Sequence, residues 1–302
     1  PSRSSAPSME EEKIPAGIGS GVIVSAEGHI LTNAHVITDP RTGQAIDEVT
    51  VKLADKRELV ATIIGFDKAT DVAVLKIDAP NLPRVSLANS DQLRVGDVVF
   101  AAGNPLGVGL TVTMGIVSAT GRTNLGILED PGSYEHFIQT DAAINMGNSG
   151  GALIDSEGRL IGINTAIYSR TGGNIGIGFA IPVDLVRGVV EEIKQNGRVI
   201  RGYIGFVPEE LSSSEATSLG LNPNFGIVLT GVTEDSPAES VGLRRGDIIL
   251  SINGEQIRTR RQALLIVARL NPGDIVEIEG LRDSQQFRTE LTATERRPQS
   301  PP

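Results

Sequence analysis

From residue 18 onward the chain repeats one polarity pattern: a short apolar run, then a break of Gly, Asp, Asn or Pro. "GVIVSA", "HILTNAHV", "EVTVKL", "ELVATIIGF", "DVAVLKI", "GDVVFAAG" and "VTMGIVSAT" follow one another in this way to about Ile181. Runs of this length, rich in β-branched residues and bounded by turn formers, predict strands of a sandwich or barrel. The period then changes. In "PVDLVRGVVEEIKQNG" the residues Leu185, Val186, Val189, Val190 and Ile193 recur at three- and four-residue steps, with Pro182 at the start and Gly197 at the end. That spacing predicts one amphipathic helix closing a first domain at about residue 198. Strand-like runs resume over 199–295, with one further helical stretch near "RRQALLIVARL", which is enough chain for a compact second domain. The fold class expected is therefore mainly β. Residues 1–16, rich in Pro, Ser and Glu, predict a disordered lead-in, and 296–302 a disordered tail.

Composition narrows the function classes. The 302 residues hold 39% hydrophobic and 21% charged residues, the balance of a globular chain with material for a core. A net charge of −10 argues against a nucleic-acid partner, which requires a clustered basic face. No run approaches the roughly 18–20 apolar residues of a membrane span, and "PSRSSAPSMEEEK" holds no apolar core of a signal peptide. The absence of cysteine excludes disulfides and thiolate metal sites. No metal-ligand cluster, phosphate-binding loop or nucleotide motif is present, so neither a metal nor another cofactor is expected.

"INMGNSGGAL", residues 144–153, places Ser149 among glycines. The stretch reads equally as a tight turn between strands or as a turn built to hold a nucleophile. Attack by serine requires a base and a group that orients the base. Three histidines are present. His35, in "LTNAHV" at the polar end of an apolar run, is the best base, whereas His29 and His136 sit in polar, turn-like contexts and are expected to be solvated. Asp71, in "TDVAVLKI", opens an apolar strand and is expected at a sheet edge near the interior, as an orienting carboxylate or as an ordinary turn residue.

The order His35, Asp71, Ser149 in the contexts "TNAHV", "TDVAVL" and "GNSGGAL", together with "TDAAINMGNSGGALIDSEGRLIGINTA" and "GIGFAIP", resembles the HtrA/Deg family of serine endopeptidases from about Gly19 to Glu295. The resemblance implies a chymotrypsin-like double β-barrel over 17–198 followed by one PDZ domain. It implies that Ser149 is the nucleophile, His35 the general base and then acid, and Asp71 the group that fixes the imidazole. The amides of Gly147 and Ser149 are then the oxyanion hole, with glycine at 147 allowing the peptide plane to turn. Ile144, Ile163 and Asn164, Thr165, Ala166 and Ile167 correspond to the walls of the primary specificity pocket. None of them is charged, so cleavage after small or medium apolar residues is expected.

In the second domain "SPAESVGLRRGDIILSINGEQI" resembles a PDZ domain of the HtrA type. "GYIG", Gly202, Tyr203, Ile204 and Gly205, stands in the place of the loop that takes a C-terminal carboxylate, and Leu264 and Val267 are candidates for the side-chain pocket or for core packing. Arg122, in "SATGR", matches a position that couples bound peptide to the catalytic loops, and "TNLGILEDPGSYEH" is the candidate sensor loop. The implied partners are unfolded or misfolded polypeptides and C-terminal peptides, and the implied assembly is a homotrimer. Relatives usually build the trimer with a strand and an aromatic segment, where this chain has "PSMEEEKIPAGI". A periplasmic or envelope location follows from kinship alone. Three roles fit: a quality-control protease, a sensor protease that cuts an anti-sigma factor after peptide binding, and a binding or chaperone module with a dormant site.

Overall fold

The computed structural model describes residues 18–104, 109–123, 125–128, 133–167, 175–222 and 225–295. The expected lead-in over 1–16 and the tail over 296–302 lie outside them. The chain divides after Arg198 into two units, each with its own apolar core.

The first unit begins with β1 (Val22–Ile23), β2 (His29–Thr32), β3 (Val49–Lys52), β4 (Glu58–Asp67) and β5 (Val72–Lys76). They form one antiparallel sheet in the order β1-β2-β5-β4-β3. The strand β5 is central and Val72, Ala73, Val74 and Leu75 are all buried, which is why "DVAVLKI" reads as a continuous apolar run rather than an alternating one. Six further strands, β6 (Val98–Gly103), β7 (Thr111–Arg122), β8 (Phe137–Thr140), β9 (Ala152–Asp155), β10 (Leu160–Ile167) and β11 (Gly178–Pro182), close into a barrel. Its interior is filled by Val99, Ala101, Val117, Ile138, Leu153, Ile161 and Ala180, so it is a packed core and not a pore.

The strand β10 carries a bulge. Asn164 pairs with Ala180 and Ala166 with Phe179, leaving Thr165 as the extra residue. The barrel is followed by α1 (Val183–Asn196), which buries Val183, Val186, Val189 and Ile193 against β4, β5, β10 and β11. Gly197 ends it in the left-handed conformation at φ 73°, donating its amide to the Ile193 carbonyl at 2.8 Å.

The second unit holds β12 (Gly202–Tyr203), β13 (Phe206–Glu210), α2 (Ser213–Ser218), β14 (Ile227–Val232), α3 (Pro237–Ser240), β15 (Ile248–Ile252), β16 (Glu255–Gln256), α4 (Arg260–Ala268), β17 (Ile275–Arg282), β18 (Gln285–Thr292) and β19 (Thr294–Glu295). The main sheet runs β13-β14-β15-β17-β18, and β12 pairs with β19. Two helices, α2 and α3, go beyond the single one that periodicity predicts here. Both are too short to show a 3.6-residue period and are set by their caps instead. Ser212 and Glu215 form a reciprocal capping box, and Ser236 caps α3 ahead of Pro237. At the end of β17 the Arg282 guanidinium meets the Asp247 carboxylate, just before β15, through two bonds of 2.7 Å, with Asp247 only 1% exposed.

Candidate active site

The turn between β4 and β5 delivers Asp71, and its backbone is unusual. Asp71 sits at φ 58° in the left-handed region, which costs an ordinary L-residue roughly 1–2 kcal/mol and is tolerated best by Asp and Asn. Local bonds hold it there. Its amide donates to the Lys68 carbonyl, and its carbonyl accepts from the Ala34 amide at 3.2 Å and the Asn33 side-chain amide at 3.0 Å. The turn Ala34–Val36, which carries His35, is thereby fastened directly to the residue that its imidazole meets.

The carboxylate of Asp71 is buried and fully engaged. Oδ1 accepts from the His35 amide at 3.0 Å, Oδ2 lies 2.8 Å from His35 Nδ1, and Oδ2 also accepts from the Thr165 hydroxyl at 2.6 Å. With Nδ1 facing a carboxylate, the ring carries its proton there and leaves Nε2 as the basic nitrogen. Burial of the ring opposes its charged form, but the Asp71 hydrogen bond and negative charge outweigh it and raise the pKa of His35 above the ordinary 6.5. The imidazole remains half exposed, so it faces solvent rather than the core.

Ser149 lies at the end of the turn before β9. Its hydroxyl donates to the Thr165 carbonyl at 3.0 Å and not to His35. Thr165 therefore joins the two halves of the site: as the extra residue of the β10 bulge, its side chain holds Asp71 and its backbone holds Ser149. The turn itself depends on glycine. Gly147 stands at φ 93°, and Gly150 at φ 82° is so close to the Ser20 carbonyl that a Cβ there would lie 2.1 Å from it. Among the described residues the amides of Gly147 and Ser149 have no acceptor, leaving both available to a developing oxyanion.

The structure places the other expected residues as follows. Ile144 and Ile163 are buried at 1% and 0% exposure, and Ile144 belongs to the barrel core. Asn164 is fully buried and spends its side-chain amide on the Ala102 and Ala152 carbonyls. Ala166 and Ile167 lie on β10 opposite Phe179 and Gly178, and their side chains fall outside the described residues. His29 is not a solvated turn tip: it opens β2, is half-buried, and its Nδ1 lies 2.8 Å from the Ser25 hydroxyl. The reason is register, since its strand partner is Lys76 on the central β5. His136 is exposed. Arg122 ends β7 and donates Nε to the Gln139 side chain at 2.8 Å.

Of the candidate sensor loop, Asn124 and residues 129–132 lie outside the described residues. The Glu135 carboxylate accepts from the amides of Leu125, Gly126, Ile127 and Leu128, and the Tyr134 amide donates to the Ala69 carbonyl at 2.7 Å, two residues before Asp71. In the second unit the amides of Ile204 and Gly205 have no acceptor among the described residues, and Gly205 sits at φ 85°. α4 lies against β12 and β13; Val267 packs on the core, and Leu264 is half-buried.

Two features were missed at the level of sequence. Thr165 is expected as a pocket wall, but its side chain turns to Asp71. Ser20, in "GSGVI", is hydrogen-bonded to the Ser149 turn. Neither leaves a local signal, because each contact joins segments distant in the chain.

A closed β-barrel beside an antiparallel sheet, with aspartate, histidine and serine converging between them, defines the trypsin-like class of serine peptidase folds. Residues 19–163 match the trypsin-like peptidase domain family, and 202–292 the PDZ domain family. The chain is 44% identical over 275 residues to a probable periplasmic serine endoprotease, DegP-like, of Ectopseudomonas mendocina, covering 91% of this chain and 56% of that protein. It thus spans little more than half the length of such curated relatives. The solved HtrA-type protease AlgW with decapeptide is 50% identical with a TM-score of 0.85, covering 93% of this chain and 83% of that one. A serine endoprotease from Yersinia pestis is 42% identical with a TM-score of 0.76, covering 92% and 89%. This chain belongs to the HtrA family of serine proteases, with one trypsin-like domain and one PDZ domain.

Proposed function

We propose that the chain is a serine endopeptidase of the bacterial envelope that cleaves unfolded polypeptides and is regulated by C-terminal peptides at its PDZ domain. The observation that supports this best is the hydrogen-bonded series His35–Asp71–Thr165–Ser149, four residues from four segments. In the proposed reaction the Ser149 hydroxyl turns from the Thr165 carbonyl to His35 Nε2, gives up its proton, and Oγ bonds to the scissile carbonyl carbon. The oxyanion is met by the amides of Gly147 and Ser149. His35 then returns the proton to the leaving amine, and water repeats the sequence on the acyl-enzyme. Asp71 stabilises the imidazolium throughout. No charged residue stands at the positions 144 and 163–167 that the family resemblance gives to the pocket, which favours small or medium apolar residues before the cut, and the amides of Ile204 and Gly205, without an acceptor among the described residues, suit a peptide carboxylate, with Leu264 and Val267 beside the last side chain. A homotrimer and a periplasmic location follow the family and the relatives' printed names; no helix among the described residues is long and apolar enough to cross a membrane.

A second reading, a sensor protease activated by peptide, is favoured by one observation: Ser149 is bonded away from its base. The relative AlgW was solved with a decapeptide, and a peptide that moves the 123–136 loop, with Arg122 as the coupling residue, is the form regulation takes in this reading. Digestion of casein by the wild type and by Ser149→Ala, each with and without a hydrophobic C-terminal peptide, tests both. Cleavage by the wild type alone regardless of peptide supports quality control, and cleavage only with peptide supports the sensor. Equal cleavage by Ser149→Ala rules out both, and intact casein throughout leaves a binding module.

A further inference from the structure

Ser20 makes four hydrogen bonds, and two of them join it to the backbone beside the proposed nucleophile. Its hydroxyl donates to the Gly147 carbonyl at 2.6 Å and accepts from the Asn104 amide at 2.8 Å, while its own amide donates to the Ser149 carbonyl at 2.8 Å. Its carbonyl is held in turn by the Thr32 hydroxyl at 2.7 Å. One residue of the segment leading into β1 is thus tied to the ends of β2 and β6 and clamps the Ser149 turn at two carbonyls, two residues apart.

We propose that Ser20 is a positioning residue for the Ser149 amide of the oxyanion hole. The inference rests on the reading of Ser149 as nucleophile. The amides of Gly147 and Ser149 must point to one place for an oxyanion to be stabilised; the Gly147 amide lies in the peptide plane before Gly147, and the Ser149 amide in the plane that joins Asn148 to Ser149. Glycine at 147 makes that turn possible but also leaves it loose, because glycine rotates more freely than any other residue. Fixing the Gly147 carbonyl fixes the plane that follows Gly147, and fixing the Ser149 carbonyl fixes the plane that follows Ser149. The Asn148–Ser149 amide between them is then left little freedom. The Ser20 hydroxyl is satisfied as both donor and acceptor, so it cannot rotate away without breaking a bond on each side. The clamp holds backbone only. The Ser149 side chain remains free to swing between the Thr165 carbonyl and His35 while the Ser149 amide stays aimed.

The test compares wild type, Ser20→Ala and Ser20→Thr in casein cleavage with a C-terminal peptide present and in the rate at which a fluorophosphonate probe labels Ser149. Because a single oxyanion donor is worth 10²–10³ in kcat, loss of its positioning is expected to lower kcat and the labelling rate roughly 10- to 100-fold in Ser20→Ala, with KM unchanged. The acid limb of the pH profile, set by His35, is expected to stay in place, and Ser20→Thr, which keeps the hydroxyl, to recover most of the loss. A role confined to folding predicts instead a lower Tm, with kcat per probe-titrated site and the labelling rate constant of the folded fraction unchanged. Labelling and kcat of Ser20→Ala within twofold of wild type overturn the proposal. A wild type that neither cleaves casein nor takes the probe contradicts the serine-protease reading itself, so the two failures are distinguishable.

Discussion

Asp71 meets two demands with one side chain. Its backbone lies in the left-handed region, and its carboxylate accepts from the His35 ring, the His35 amide and the Thr165 hydroxyl. Asn tolerates the same backbone but offers an amide that cannot accept at both positions, so Asp71→Asn is expected to fold and to lose about 10⁴-fold in kcat, measured as the initial rate of casein cleavage. Thr165→Val removes one hydrogen bond to a charged group, a loss of about 1.5–3 kcal/mol, and is expected to lower kcat roughly 10- to 100-fold without changing the fold.

The pH dependence follows from the same contacts. His35 acts as base only when neutral, and Asp71 raises its pKa, so activity is expected to rise through an acid limb centred above 6.5. In Asp71→Asn the residual limb is expected at lower pH, because the attraction that raised it is gone. The stability linkage has the opposite sense: a raised histidine pKa stabilises the fold fully below 6.5, and that contribution is lost as pH rises through the folded value. A limb below 6.5 in the wild type contradicts the assigned contact.

At the scale of elements, the site depends on turns more than on strands. Gly150→Ala introduces a Cβ 2.1 Å from the Ser20 carbonyl and 2.2 Å from the Thr32 hydroxyl in a left-handed backbone, and it is expected to lower Tm and abolish labelling of Ser149 together. Ile193→Ala, on the buried face of α1, is expected to cost about 2–5 kcal/mol in urea unfolding while leaving the site's chemistry intact in the folded fraction. What was legible in the sequence divides along the same line. The strand runs and the α1 periodicity are local patterns, and the two periods of 2 and 3.6 residues declare themselves within ten residues. The bulge at Thr165 does not, because a one-residue slip in pairing is decided by β11 and by an aspartate 94 residues away. The helices α2 and α3 carried signals in "SSSEA" and "SPAES", but as caps rather than periods. His29 was misjudged because burial came from its strand neighbour, not from its own polar surroundings.

At the scale of the whole molecule, the chain carries a peptidase-like unit and a PDZ unit with separate cores. The sequence contexts around His35, Asp71 and Ser149 made the family legible, yet they could not show the hydroxyl of Ser149 resting on the Thr165 carbonyl, since rotamer choice is a property of the assembled site. If that geometry is a resting state, peptide at the PDZ unit is expected to raise the casein rate while leaving the position of the cuts unchanged. The most direct test of the central claim is the mass of the protein after exposure to a fluorophosphonate at neutral pH, followed by mapping of the adduct. The account predicts one adduct, on Ser149, formed slowly in Asp71→Asn. No adduct with or without peptide, or an adduct on another serine, contradicts it.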